Sequence, residues 1–276
     1  DRSSAASDVY KRQMLVFALD TSTPAVTAGL VSVEEGKIPT TVARRVTINA
    51  KAHCELLTPH VVECCADAQT ELSDVDAIVA GTGPGPFTGL RVGLATAAAL
   101  GDALHIPVYG VCSLDAIAVS AWDEIQHADF AARTHQDERI LAAQQLLVVT
   151  DARRREAYWA TYSMQGIHAN AETDHACEWA VPARLDGPSV AKPDDISTML
   201  VACVAGTRKY WNQFQCPHVD VEYPDPAALV TVARDRILTG AETEPLQPLY
   251  LRRPDAVPPR PRPVSAAITG LGNNAH

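Results

Sequence analysis

The sequence predicts an α/β protein built of two related lobes, each with a mixed sheet and crossover helices. Three observations predict it. Apolar strands that end in aspartate occur twice, at Met14–Asp20 (MLVFALD) and Leu146–Asp151 (LLVVTD). Each is followed by a turn and a further strand, so the second half repeats the opening of the first. Segments with helical spacing alternate with short apolar runs, the pattern of crossover connections in a partly parallel sheet.

The elements follow in order. Met14–Asp20 reads as a buried strand, Thr21-Ser22-Thr23-Pro24 as a turn, Ala25–Val33 as a strand, Glu34–Lys37 as a hairpin tip and Thr40–Ile48 as a third strand. Ala52–Ala68 places Leu56, Leu57, Val61, Val62, Cys64 and Cys65 at helical spacing, and Pro59 predicts a kink or restart inside it. Val75–Ala80 is a strand, Gly81–Gly89 a Gly/Pro-rich loop and Leu90–Leu104 an alanine-rich helix containing Gly93 and Gly101. Pro107–Val111 is a strand, with Ser113 as N-cap of a helix over Leu114–Ala121. Asp123–Gln144, which carries His127 and His135, reads as a polar surface insertion. After Leu146–Asp151 come a strand at Ala157–Met164, a loop-rich stretch over 167–195 ahead of the weakly periodic Ile196–Val201, a strand at Leu200–Ala205 and a helix at Arg208–Gln215. The amphipathic helix Pro226–Thr239 can pack back on the first lobe, and the Pro/Arg-rich end from Arg252 reads as an extended tail. The predicted division is a leader (1–13), a first lobe (14–122), an insertion (123–144), a second lobe (145–251) and a tail (252–276). The leader has neither periodicity nor an apolar core, so Met14 reads as the natural start.

Composition narrows the function. Hydrophobic residues make up 47% and charged residues 20%, and the formal net charge is -10. Such an acidic chain repels a phosphate backbone, so contact with RNA is expected through a partner or a local patch. Seven cysteines without a CxxC pair read as reduced cytosolic thiols. No apolar run is long enough to span a membrane.

The stretch Gly81-Thr82-Gly83-Pro84-Gly85-Pro86-Phe87-Thr88-Gly89-Leu90-Arg91-Val92-Gly93 follows a strand and opens a helix. That position suits phosphate, through free N–H groups and the positive dipole end. It lacks the Gly-Lys-Ser/Thr of a P-loop, and its prolines remove donors that a dinucleotide turn would use. A rigid turn that aims the helix outweighs a phosphate cradle, and both stay open. No Gly-x-Ser-x-Gly elbow or catalytic cysteine signature is present. The basic clusters are Arg153-Arg154-Arg155, with Arg133 nearby, and the Arg252–Arg262 tail. Either could touch RNA phosphate, although a solvated strand end and a tail explain them as well.

MLVFALDTST, HCELLTP, DAIVAGTGPGPFTGLRVGLATAAALGDALHIPVYGVCSL, VTDARRREAYWATY and QPLYLRR occur in this order. Over Met14–Arg253 the sequence resembles the TsaB (YeaZ) family of bacterial tRNA threonylcarbamoyladenosine biosynthesis proteins. GPGPFTGLRVG is the most specific of the segments, while the insertion and residues 167–195 depart from the pattern. The resemblance implies an actin-like (ASKHA-type) two-lobed fold and a cytoplasmic, non-catalytic paralogue of the catalytic subunit TsaD. It implies that the chain binds TsaD and is joined by the ATPase TsaE. That complex uses ATP and threonylcarbamoyl-adenylate to modify A37 of tRNAs reading codons that begin with A. No cofactor is expected to bind this chain tightly, and tRNA is expected only through the complex.

The residues agree about lost catalysis. An actin-like kinase places glycine beside its strand-end aspartate so that backbone can approach phosphate. Here Asp20 is followed by Thr21 and Ser22, and Asp151 by Ala152 and three arginines. Asp20, Thr21, Ser22, Gly83, Gly85 and Asp151 are therefore expected as degenerate nucleotide-site positions. TsaD-like enzymes carry a His-x-x-x-His metal pair, whereas His53 and His60 lie two helical turns apart with Glu55 between them, too far for one ion. The resemblance places the partner contact on the two first-lobe helices, with His53, Leu56, Leu57, Val61, Phe87, Arg91, Leu94, Ala97 and Ala98 as candidate interface residues. A homodimer through the same surface stays open for the chain alone. The alternatives are an actin-like small-molecule kinase and a metallopeptidase-like relative.

Overall fold

The structure, a computed structural model, describes residues 13–126, 145–164 and 181–252. The leader to residue 12, the tail from residue 253, and His127, Arg133 and His135 of the insertion lie outside the described residues.

The first sheet holds β1 (Met14–Asp20), β2 (Ala25–Val33), β3 (Thr40–Ile48), β4 (Ala77–Gly81) and β5 (Val108–Val111), in the order β3-β2-β1-β4-β5. The second holds β6 (Gln145–Asp151), β7 (Ala157–Ser163), β8 (Arg184–Ala191) and β9 (Val201–Gly206), in the order β8-β7-β6-β9. Both grow from one plan. An antiparallel hairpin (β1 with β2, β6 with β7) extends outward by another antiparallel strand, and a parallel strand (β4 or β9) flanks it on the inner side.

Successive side chains of β1 point to opposite faces, and both faces are covered, which is why the strand reads as a continuous apolar run. Phe17 and Leu19 pack with Leu57, Val61 and Cys64 of α1 (His53–Asp67) and Leu90, Leu94 and Ala97 of α2 (Phe87–Leu104). Val16 and Ala18 pack on the other side with Leu229, Val230, Ala233 and Ile237 of α4 (Pro226–Leu238). The last helix thus returns to the first sheet, started by Asp225, whose carboxylate accepts from Ala227 N at 2.9 Å. Between the lobes runs α3 (Ser113–Gln126). Its Ala116 joins the first-sheet core, while Leu114, Ile117, Ala118 and Ala121 pack on Leu146, Val148, Ala160 and Tyr162 of the second sheet. Asp115 fastens it there, accepting from Tyr162 Oη at 2.8 Å and Arg184 Nη1 at 3.1 Å. Among the described residues no helix is long and apolar enough to cross a membrane.

Four expectations change. α1 runs through Pro59 without a break, because Pro59 lies on its exposed side while Leu57, Val61 and Cys64 anchor the helix around it. α3 continues past Ala121 to Gln126, into the segment read as an insertion. Arg208–Gln213 is a 3-10 turn rather than an α-helix, with Tyr210 and Phe214 capping the second sheet's outer core. β8 was hidden by Gly187 and Pro188 in its middle, where the pairing with β7 shifts register.

Candidate functional site

The two strand-end aspartates have different environments. Asp20 is wholly buried. Its Oδ1 accepts from Ser22 N at 2.9 Å and Ser22 Oγ at 2.8 Å, and its Oδ2 accepts from Ser113 Oγ at 2.5 Å. Burial pushes this carboxyl above the ordinary range, and the hydrogen bonds from Ser113 and Ser22 offset part of the push. The neighbouring strand end is glycine by necessity. A Cβ on Gly81 would overlap the Asp20 carboxylate and stand 2.7 Å from Ser113 Oγ.

The Gly/Pro loop closes over this corner. Gly83 N donates to Ser113 Oγ at 3.1 Å, and Ser113 N donates back to Gly83 O at 2.8 Å. Thr21 Oγ1 donates to Gly89 O at 2.8 Å and accepts from Gly93 N at 3.0 Å. Gly85 lies so close to Ser22 that a Cβ there would overlap the Ser22 carbonyl. Thr21, Ser22 and Thr23 are all buried. Of the two readings of this loop, the geometry fits the rigid turn: its glycines let loop backbone reach the Asp20 corner.

Asp151 is half-exposed and held by other means. Its Oδ1 accepts from Lys209 Nζ at 2.8 Å, Tyr210 Oη at 2.8 Å and Arg153 N at 3.0 Å. Burial alone would raise this carboxyl, but the bonds from Lys209, Tyr210 and Arg153 outweigh it and hold the group below its usual range. The connection to β7 then runs through Arg153, Arg154 and Arg155, at φ of 63°, 50° and 65°. Left-handed backbone costs a non-glycine residue roughly 1–2 kcal/mol. Between the corners lies a cavity of about 190 Å³, lined by Ser22, Thr23 and His53 on one side and Thr150, Asp151 and Arg153 on the other. Ligand pockets usually have about 300–1,000 Å³, so this one is too small for a nucleotide. A hollow of about 960 Å³ lies elsewhere, between β3, the end of α3 and residues 220–231. Its carboxylates Asp220, Glu222 and Asp225 are engaged by Arg208 and Arg44.

His53 Nε2 donates to Thr23 O at 3.0 Å, and His60 Nε2 meets Thr47 Oγ1 at 3.0 Å, so the two rings serve separate contacts. Among the described residues no three His, Cys, Asp or Glu side chains gather as a metal set. The candidate interface residues divide by face. His53, Leu57, Val61, Leu94 and Ala97 are buried in the lobe itself, and Leu56 is half-buried. Arg91 and Ala98 are exposed, beside Ala95 and Asp102. These four residues line a groove of about 740 Å³ together with Leu246 and Pro248 of the C-terminal segment. Phe87 stacks on Tyr250 with ring centroids 4.2 Å apart, and Arg91 Nε donates to Tyr250 Oη at 3.2 Å. Sequence reasoning missed Lys209 and Tyr210, which sit far from Asp151 in the chain. It also read Ser113 only as a helix cap, whereas its hydroxyl goes to Asp20.

The comparisons agree with this geometry. The family model described as TsaD: tRNA N6-adenosine threonylcarbamoyltransferase matches residues 47–192. A Mycobacterium tuberculosis relative is 44% identical over 243 residues, covering 88% of this chain and 94% of that protein. A Mycobacterium leprae relative is 45% identical, and the chain spans 56% of its length. The Escherichia coli tRNA threonylcarbamoyladenosine biosynthesis protein TsaB is 32% identical over 163 residues, covering 58% of this chain and 61% of that protein. The solved structure of YeaZ from Pseudomonas aeruginosa superposes with a TM-score of 0.63 at 26% identity, covering 86% of this chain and all of that one. With two actin-like lobes, a matching family model and relatives along most of its length, the chain belongs to the TsaB (YeaZ) family, within the TsaD-type fold.

Proposed function

We propose that this chain is a non-catalytic subunit in the making of threonylcarbamoyladenosine at A37 of tRNA, acting in the cytoplasm. Its partner is a TsaD-type catalytic protein, and a TsaE-type ATPase joins the pair. ATP and threonylcarbamoyl-adenylate are handled by the complex, not by this chain. The observation that carries the reading is the sealed Asp20 corner. A carboxylate that is 1% exposed and already accepts three hydrogen bonds inside the protein is closed off from a metal–nucleotide complex. The small cleft and the ion-paired Asp151 support the same conclusion for the second lobe. They also speak against the kinase alternative.

What the lobe leaves uncovered supports one partner face. The outer side of α2 presents Arg91, Ala95, Ala98 and Asp102, small or polar groups against which another helix can lie closely. Ala98→Arg is expected to abolish co-purification with the cognate TsaD-type protein while circular dichroism stays native. Ala97→Arg, at a wholly buried position, is expected to unfold the lobe instead. Nucleoside analysis of tRNA from cells carrying only the Ala98→Arg chain should then show loss of the modification. Unchanged partner affinity in the folded Ala98→Arg protein would place the interface elsewhere. Robust product from the isolated chain with the adenylate would sink the non-catalytic reading.

A further inference from the structure

The Arg153–Arg155 turn is the strained feature that the sealed site leaves unexplained. A connection that needs left-handed backbone at three successive positions is least strained with glycine, asparagine or aspartate. Arginine at all three keeps the strain and adds three exposed guanidiniums. The nearby carboxylates do not account for the Arg153 and Arg155 groups. Asp151 is paired with Lys209, and Glu156 with Arg252 at 3.2 Å. Among the described residues, the Arg153 and Arg155 guanidiniums have no carboxylate partner. Lys51, exposed and likewise unpaired, lines the same cavity mouth as Arg153. A local excess of positive charge therefore stands at the cleft of a chain whose net charge is -10.

We propose that this turn is an RNA-phosphate contact: Arg153 and Arg155, with Lys51 across the cavity that Arg153 lines, hold the backbone of the tRNA that the complex modifies. The inference rests on the function proposed for the chain. Guanidinium forks match phosphate oxygens in pairs, which suits a backbone contact that positions RNA without reading bases. The cavity behind the turn is too small for a free nucleotide, so the phosphate belongs to a ligand lying across the surface. The rest of the acidic chain repels that ligand, so the contact adds to binding by the partner rather than replacing it.

The test uses the full chain in complex with its cognate TsaD-type protein and fluorescently labelled tRNA, read by anisotropy between about 50 and 200 mM salt. R153E/R155E is expected to weaken tRNA binding at least about tenfold and to lower the slope of log K against log salt by about two, with the protein complex intact. The R153K/R154K/R155K chain, which keeps the charge but loses the paired forks, should keep the salt slope of the parent while binding more weakly than it and more tightly than R153E/R155E. The R153G/R154G/R155G chain, which relieves the backbone, should melt no lower and still lose tRNA affinity. Unchanged affinity and slope in R153E/R155E would overturn the proposal. So would loss of the TsaD-type or TsaE-type protein from the complex, because the turn would then be a protein contact. Should the parent chain form no complex at all, the proposed function fails first. The RNA contact would then still be read from the isolated chain at about 20 mM salt, where the parent must bind tRNA more tightly than R153E/R155E.

Discussion

The Asp20 and Asp151 corners share one local pattern, an apolar strand ending in aspartate with a tight turn and an antiparallel strand after it, yet they stabilise their carboxylates in opposite ways. Asp20 is buried among hydroxyls and a backbone N–H. Asp151 stays near solvent and takes a lysine, a tyrosine and a backbone N–H. The difference originates in the segment that leaves each parallel strand. After β4 comes a loop whose glycines allow backbone to press against Thr21–Thr23, and β5, the parallel strand beyond it, delivers Ser113 to the same corner. After β9 comes the Arg208–Gln213 turn, which delivers Lys209 and Tyr210. The same strand-end carboxylate is thus a packed core group in one lobe and half of an ion pair in the other.

The largest effect should come from reopening the sealed corner. Gly81→Ala puts a methyl group into the buried Asp20 carboxylate and against Ser113 Oγ, and is expected to cost about 3 kcal/mol or more, or to abolish soluble protein. A melting temperature within a few degrees of the parent would mean that the corner is looser than its hydrogen bonds imply.

Next comes Asp20 itself. Asp20→Ala leaves the Ser22 N–H and the Ser22 and Ser113 hydroxyls without their acceptor inside the core, an expected loss of about 2–4 kcal/mol in urea unfolding. Asp20→Asn keeps the shape, and its amide can accept from Ser22 and donate to Ser113, so it should cost much less. The Asn chain should also support normal tRNA product in the reconstituted complex. A folded Asp20→Asn chain that binds its partner but blocks product would restore a chemical role to this carboxylate.

Much of this contrast was legible in the sequence, and the rest was hidden for definite reasons. The duplicated strand–Asp pattern was local, so the two-lobed plan could be read directly. The partners of those aspartates were not local. Ser113 lies 93 residues from Asp20, and Lys209 lies 58 residues from Asp151, so only the parallel pairing of β1 with β4 and of β4 with β5, and of β6 with β9, brings them near. Helical spacing marked α2 correctly but not which side its own sheet uses, so Ala97 and Ala98 looked equivalent until the packing separated them. β8 lacked any alternation, because Gly187 and Pro188 interrupt both the pattern and the ladder.

A smaller effect is expected at the open corner. Asp151→Ala frees Lys209, while Tyr210 keeps its second bond to Glu156 O at 2.8 Å. The ion pair is partly exposed, so solvent screening limits the loss to about 0.5–1 kcal/mol. A loss as large as that of Asp20→Ala would show that the two corners are equally structural.

The smallest effect, and the sharpest separation of the two corners, lies in their pH dependence. Asp20 has a carboxyl raised above 3.8 by burial, so the folded chain holds that proton more tightly than the unfolded chain. Its contribution is complete below the unfolded value and is lost as pH rises through the folded one. Asp151 is lowered from 3.8 by its partners, so its contribution is present above that value and is lost as pH falls through the folded one. Urea unfolding of the parent, Asp20→Asn and Asp151→Asn across the acid-to-neutral range should give opposite behaviour. The advantage of the parent over Asp20→Asn should shrink with rising pH above 3.8, because only the parent must ionise a buried group. The advantage over Asp151→Asn should stay level above 3.8 and disappear only below it. If both differences follow the same slope, the Asp20 corner admits water or a cation that its geometry does not reveal. The contrast between a packed carboxylate and a paired one would then fail at its root.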